Sequence, residues 1–168
     1  MSKRRVLFIA STGGHLKELM QLESIFDNYD FNLITEKTKS NLWLKDKYKN
    51  KVYYMVYGTK DHMLTYPFKF FWNCIKSVFL YFKLHPDYIV TTGTHTAVPI
   101  CFFSKIFGTK VIYIETFANM TTKTMSGKMI YPISDEFIVQ WESMLKLYPE
   151  ATYGGGFSND TCYFRYSR

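Results

Sequence analysis

The chain has 168 residues, 47% of them hydrophobic and 19% aromatic, with a formal net charge of +7. That length and apolar content predict one globular domain with a real core and exclude a disordered chain. The excess of Lys and Arg calls for an anionic partner. Because no motif of the common nucleic-acid modules is present, a membrane surface and a phosphorylated ligand rank above DNA or RNA.

The opening Ser2-Lys3-Arg4-Arg5 before an apolar run imitates a signal peptide. The run is too short for an h-region, however, and ends in Gly13-Gly14-His15. No window reaches the roughly 18 uncharged apolar residues of a spanning helix, so the expectation is a chain in the cytosol or lying on a membrane. Cys74, Cys101 and Cys162 are far apart, which predicts reduced thiols rather than a disulfide framework or a metal cluster. Asn119 and Asn159 each open a glycosylation pattern that carries no weight without a secreted context.

Residues 6–10 read as a buried strand that stops at Ser11-Thr12-Gly13-Gly14-His15. The periodicity of Leu16, Leu19 and Met20 then predicts a helix running to about residue 28. Glycines between a strand and a helix N-terminus let backbone N–H groups approach an anion, so Ser11, Thr12, Gly13 and Gly14 are candidate phosphate-binding residues with His15 beside them. A two-glycine loop is a weak fingerprint, and a turn that binds nothing reads the same. Strands follow at 31–35 and 52–57, on either side of a polar connector with a short helix at 42–48.

Residues 66–84 predict a long helix, with Pro67 in its first turn and Pro86 beyond its end. On a wheel, Phe68, Phe71, Trp72, Ile75, Phe79 and Phe82 share an arc, while Lys69, Lys76 and Lys83 line one edge of the other side. The apolar surface is wider than one sheet contact requires. One face is expected on the sheet; Phe68, Phe71, Trp72 and Phe79, with the three lysines, are expected to meet an anionic membrane or a partner. An ordinary crossover helix with solvated lysines is the alternative.

A strand at 87–91 leads to a second glycine turn, Thr92-Gly93-Thr94-His95-Thr96, then a helix at 98–107 capped by Gly108. A strand at 110–115 ends in Glu115. A loop at 116–124, a helical turn at 126–131, a strand at 137–140, a helix at 141–147 and a short strand at 151–153 complete the order. Strands alternating with helices predict an α/β domain, a doubly wound, mostly parallel sheet of Rossmann-like type spanning 1–156, with 157–168 a tail. Ligands of such sheets sit beyond the strands' carboxyl ends. Both glycine turns and Glu115 fall there, which adds Gly93, Thr94, His95 and Thr96 to the candidate phosphate and acceptor residues.

Four motifs in this order carry a family resemblance: Ser11-Thr12-Gly13-Gly14-His15, Thr91-Thr92-Gly93-Thr94-His95-Thr96-Ala97-Val98-Pro99, Tyr113-Ile114-Glu115-Thr116-Phe117-Ala118 and Val139-Gln140-Trp141-Glu142. Over residues 4–156 the chain resembles bacterial capsular and exopolysaccharide glycosyltransferase subunits. These are related to the membrane-docking subunit of the two-chain UDP-GlcNAc transferase of dolichol-linked oligosaccharide synthesis. The resemblance implies the N-terminal, acceptor-binding half of a split GT-B glycosyltransferase, peripheral on the inner, cytoplasmic face of the cell membrane.

It further implies a heterodimer. A separate donor-binding subunit would hold the UDP-sugar (UDP-GlcNAc or UDP-Gal, for β-1,4 transfer), and the Gly-rich, aromatic segment from Gly154 to Tyr166 would dock it. The chain ends before a second αβ domain forms, so little activity is expected without that partner. No cofactor or metal of its own is expected.

The acceptor would be a polyprenyl-pyrophosphate-linked sugar, its pyrophosphate on Thr12 to His15. His15 would either bind phosphate or deprotonate the acceptor hydroxyl, since an imidazole near pKa 6.5 suits both. Glu115 would orient a sugar hydroxyl or act as base, or merely cap its loop. His95 would meet the ligand from the other side, or bond backbone within its turn. The rival readings are a non-catalytic membrane scaffold for the partner and a self-sufficient nucleotide-binding enzyme. Against the latter, GxGxxG is missing and only Glu36 stands where a ribose-binding acid would.

Overall fold

Among the residues described by the computed structural model (3–57, 66–93 and 95–155), seven apolar runs become strands. They are β1 (Arg5–Ile9), β2 (Asp30–Glu36), β3 (Val52–Met55), β4 (Tyr88–Thr91), β5 (Lys110–Ile114), β6 (Glu136–Val139) and β7 (Thr152–Tyr153). All neighbours pair in parallel in the order β3-β2-β1-β4-β5-β6-β7. In this register Phe8 lies between Leu33 and Val90. The order reverses between β1 and β4, the point at which doubly wound sheets place a ligand crevice beyond the strands' carboxyl ends. The doubly wound α/β expectation holds, and every ladder is parallel.

Successive strand residues face opposite ways, which gives two cores. Leu7, Ile9, Ile89, Val111, Tyr113 and Val139 face one side, where α4 (Tyr66–Leu84), α5 (Val98–Ile106) and α6 (Met125–Ile130) cover them. Phe8, Ala10, Leu33, Val90, Ile114 and Ile138 face the other, under α1 (Gly14–Met20), α2 (Glu23–Phe26) and α3 (Trp43–Tyr48).

Two predicted helices come out differently. The first is broken into α1 and α2, because bonds from Gln21 N to Glu18 O (3.1 Å) and from Leu22 N to Leu19 O (3.0 Å) tighten the chain. Leu16, Leu19, Leu22 and Phe26 are spaced 3, 3 and 4 apart, and the tighter turn brings all four inward. The stretch expected as a helix at 141–147 is a 3₁₀ segment, Glu142–Lys146.

Helix α4 has the predicted bounds, but its aromatic arc does not pack on the sheet. Phe68 is 77% exposed, Phe71 66% and Phe79 63%, while Asn73, Ser77, Leu80 and Tyr81 are buried on the sheet side. Asn73 makes this inversion possible. Its Oδ1 accepts from Val56 N (3.0 Å) and its Nδ2 donates to Val56 O (2.8 Å), so one side chain satisfies the backbone just beyond β3. Beside it, α5 adds exposed Phe102, Ile106 and Phe107, and the Phe82 and Phe107 rings meet at 5.2 Å. One apolar surface thus runs across two helices.

Candidate functional site

The loop after β1 starts the site. Gly13 has φ 72°, a conformation that side chains other than glycine rarely adopt. Gly14 needs no such exemption, and a Cβ built there meets nothing within 4 Å. Neither packing nor backbone geometry therefore accounts for the second glycine. No side chain caps α1 at Gly13. Ser11 is buried, its carbonyl accepting from Thr35 Oγ1 (3.0 Å), and Thr12 Oγ1 lies 3.2 Å from Thr38 Oγ1.

Reciprocal bonds join this loop to the one after β4. His15 Nδ1 lies 2.9 Å from Thr92 O, and Thr92 Oγ1 donates to His15 O at 2.8 Å. A carbonyl only accepts, so His15 Nδ1 is the donor in the first of these bonds. The His15 ring is half-buried. Gly93 takes φ 88°, and its Cβ position lies 2.5 Å from the Tyr113 hydroxyl, so that turn needs glycine for both conformation and space.

His95 and Thr96 follow, both against Glu36 at the end of β2. Thr96 Oγ1 donates to Glu36 Oε1 at 2.7 Å, and His95 Nε2 lies 3.3 Å from the same oxygen. Thr94 lies outside the described residues, as does the segment 156–168 expected to dock a partner.

Glu115 is at the same edge but beneath the surface, 1% exposed. Its carboxylate accepts from Thr116 N (3.1 Å), Thr124 Oγ1 (2.9 Å) and Tyr148 OH (3.0 Å). Thr124 in turn caps α6 by accepting from Gly127 N at 3.0 Å. Burial pushes the Glu115 carboxyl above its ordinary range, against the pull of those hydroxyls, the amide and nearby His15. The loop-capping alternative describes these contacts.

Sequence reasoning missed Glu18, one helical turn after His15. Its Oε1 accepts from Thr116 Oγ1 (2.8 Å) and Phe117 N (3.1 Å), strapping the loop after β5 onto α1. The i, i+3 spacing from His15 was a signal for a shared helix face. Trp141 closes the strap from the other side, donating from Nε1 to Phe117 O at 2.7 Å.

The residues expected to meet a membrane form a separate surface. Phe68, Phe71, Trp72 and Phe79 are exposed together, but the lysine edge is partly engaged: Lys76 Nζ donates to Tyr54 O, and Lys83 Nζ lies 5.2 Å from the Tyr53 ring centre. Among the described residues no helix is long and apolar enough to cross a membrane. A hollow of about 550 Å³, lined by Arg4, Arg5, His85 and Lys110 among others, lies at the opposite, amino-terminal sheet edge. It is remote from both glycine turns, and Arg5 there is paired with Asp87 at 2.9 Å.

Fold and crevice together define a Rossmann-like α/β domain with GT-B neighbours. Acinetobacter baumannii MurG superposes with TM-score 0.67 at 15% identity, covering 83% of this chain and 42% of that one. The UDP-GlcNAc 2-epimerase of Methanocaldococcus jannaschii gives 0.64 at 14%, covering 90% and 45%. The chain spans less than half of either, and the likeness is one of fold.

Residues 6–157 match the family described as "Oligosaccharide biosynthesis protein Alg14 like", and the chain belongs to that family. It is 28% identical to the UDP-N-acetylglucosamine transferase subunit alg14 of Schizosaccharomyces pombe over 174 residues, covering 91% of this chain and 83% of the relative. With the human subunit of the same name it shares 27% over 176 residues, covering 89% and 81%.

Proposed function

We propose that this chain is the acceptor-side subunit of a two-chain inverting glycosyltransferase. It binds a polyprenyl-pyrophosphate-linked sugar at the inner face of the membrane and works with a donor-binding partner that carries UDP-GlcNAc or UDP-Gal. The observation that carries the reading is the crevice where the glycine-open Ser11–His15 loop and the His15–Thr92 link meet at the sheet's reversal. The names of its relatives as transferase subunits support the class. On the resemblance of its motifs to bacterial polysaccharide enzymes, the proposal extends to a β-1,4 transfer in capsular, exopolysaccharide or lipid-linked oligosaccharide synthesis.

In this reaction the acceptor hydroxyl attacks the sugar's anomeric carbon. The new C–O bond forms as the bond to UDP breaks on the opposite face, and the hydroxyl proton passes to His15 Nε2. Backbone N–H groups of Gly13, Gly14 and His15 hold the pyrophosphate. Ser11 and Thr12 shape that loop, while Gly93, Thr94, His95 and Thr96 flank the ligand from β4. Glu115, buried and fully bonded, acts by holding the α6 start and the neighbouring loop. The aromatic arc of α4, joined by α5, seats the domain on the bilayer, with the lysines supplying a secondary attraction to anionic lipid.

The test is co-purification with a donor-binding partner subunit, then transfer to a synthetic prenyl-pyrophosphate sugar. His15→Ala is expected to lower the rate by about 10²–10⁴-fold, the usual worth of a general base. Full activity of that variant would favour a second reading, a membrane scaffold that only recruits and stabilises the partner. The burial of Glu115 is the observation that favours that alternative, since it withdraws one of the two candidate bases from the surface.

A further inference from the structure

We propose that Phe117 is the platform for the acceptor's sugar ring, which lies flat on the phenyl group with its polar rim towards Asn119. The inference rests on the acceptor-binding reading above and gives the sugar a seat that reading leaves unassigned.

Phe117 belongs to the loop after β5, at the carboxyl edge of the sheet, and is 43% exposed. An exposed phenylalanine gains little from folding, yet this one is held on both sides of its backbone. Its N–H donates to Glu18 Oε1 at 3.1 Å, and its carbonyl accepts from Trp141 Nε1 at 2.7 Å. The Trp141 ring backs the phenyl group, with centroids 4.4 Å apart and planes at 36°. These rings come from two of the four motifs, and the parallel pairing of β5 with β6 brings them together. The ring is therefore fixed before a ligand arrives, which lowers the entropic cost of seating one.

A pyranose matches this surface in chemistry. Its faces carry C–H groups, whose positive edge the negative face of an aromatic ring attracts. Its rim carries hydroxyls that need hydrogen-bond partners. Two residues on, Asn119 Oδ1 accepts from Thr122 Oγ1 at 2.8 Å, which fixes the amide and turns its Nδ2 donors elsewhere. A phosphate has no apolar face to lay on Phe117, and a prenyl chain has no use for an amide donor. Position agrees as well. Glu18, which ties Phe117, stands three residues after His15 on α1, a rise of about 4.5 Å. The platform is thus fastened one helical turn from the loop that receives the pyrophosphate, as a sugar esterified to that pyrophosphate requires.

Acceptor kinetics in the two-chain complex, with phytanyl-pyrophosphate-linked GlcNAc, provide the first test. Phe117→Ala is expected to raise the acceptor KM roughly tenfold while kcat changes little, the size of one lost aromatic contact. Phe117→Tyr keeps the ring face and should return KM to within about twofold of wild type. An unchanged KM in Phe117→Ala overturns the proposal. Loss of co-purification in that variant also overturns it, because the ring would then belong to the subunit interface.

A second measurement needs no transfer. Trp43 and Trp72 are both exposed, and changing them to Phe leaves Trp141 as the sole indole of the full chain. Its emission should shift when phytanyl-pyrophosphate-linked GlcNAc is added and not when phytanyl pyrophosphate is added. Equal responses to the two lipids, or no response to either at saturation, overturn the assignment. If the wild-type complex moves no sugar to the pyrophosphate acceptor, the function proposed above fails, and this titration still decides the platform by itself.

Discussion

Glu115 and Gly127 form a close-packed knot whose behaviour can be calculated in sign. A Cβ at Gly127 falls 2.3 Å from Glu115 Oε2, 2.5 Å from the Tyr148 hydroxyl and 2.8 Å from Thr124 Oγ1. Gly127→Ala should therefore cost about 2–3 kcal/mol by overpacking, read as a fall in thermal midpoint. The carboxyl itself gives a pH test. Burial raises its folded-state pKa above the ordinary 4.5, so the folded form holds this proton more tightly than the unfolded form. The associated stability is complete below about pH 4.5 and is lost as pH rises through the raised value. Melting curves of Glu115→Gln against wild type should converge in acid, with the variant gaining relative stability as pH rises through that window.

At this scale the two turns were legible as turns, because Gly13 and Gly93 follow strands and take the positive φ that favours glycine. The partners of Glu115 were not: Tyr148 lies 33 residues away, and Thr116 meets Glu18 across 98. Strand order decides such contacts, and a linear pattern does not contain it.

Helix α4 shows what periodicity reveals and what it leaves open. Its span was readable from Pro67, Pro86 and the unbroken apolar run, but the face it turns to the sheet was not. A pattern says which residues share an arc. It does not say that Asn73 and Ser77 will be buried while phenylalanines are left outside. Asn73 bonds both polar groups of Val56, and its replacement by alanine should cost about 2–3 kcal/mol through the backbone groups it orphans. Denaturant midpoints of Asn73→Ala and wild type measure this directly. The outward arc makes a separate prediction: Phe71→Ser with Phe79→Ser should abolish flotation with anionic liposomes. Lys69/Lys76/Lys83→Glu should only weaken it, since two of those lysines are turned towards β3. Flotation of the aromatic variant at the wild-type level would remove α4 from the membrane.

For the whole molecule, the alternation of strands and helices was enough to put both glycine turns and Glu115 at one sheet edge before any coordinates, because right-handed crossovers leave few topologies for such a chain. The break between α1 and α2 and the 3₁₀ form of 142–146 changed element shapes without moving that edge. His15 and Thr92 bond each other in both directions across the reversal point, and Glu18 and Trp141 fasten the next loop. The crevice is therefore built before a ligand arrives, and its loops should show slow amide exchange without one. Fast exchange throughout residues 11–16 and 91–93 would contradict this.

The exposed arc of α4 also has a consequence for the life of the chain in a cell. Phe68, Phe71, Trp72, Phe79 and Phe82 leave the ribosome as a sticky face, and until that face is covered the chain competes with chaperones and proteases. Its abundance should then be set by the surface available to receive it rather than by its rate of synthesis. Overproduced alone, it should pellet or be degraded; Phe68, Phe71 and Phe79 changed together to Ser should raise the soluble yield.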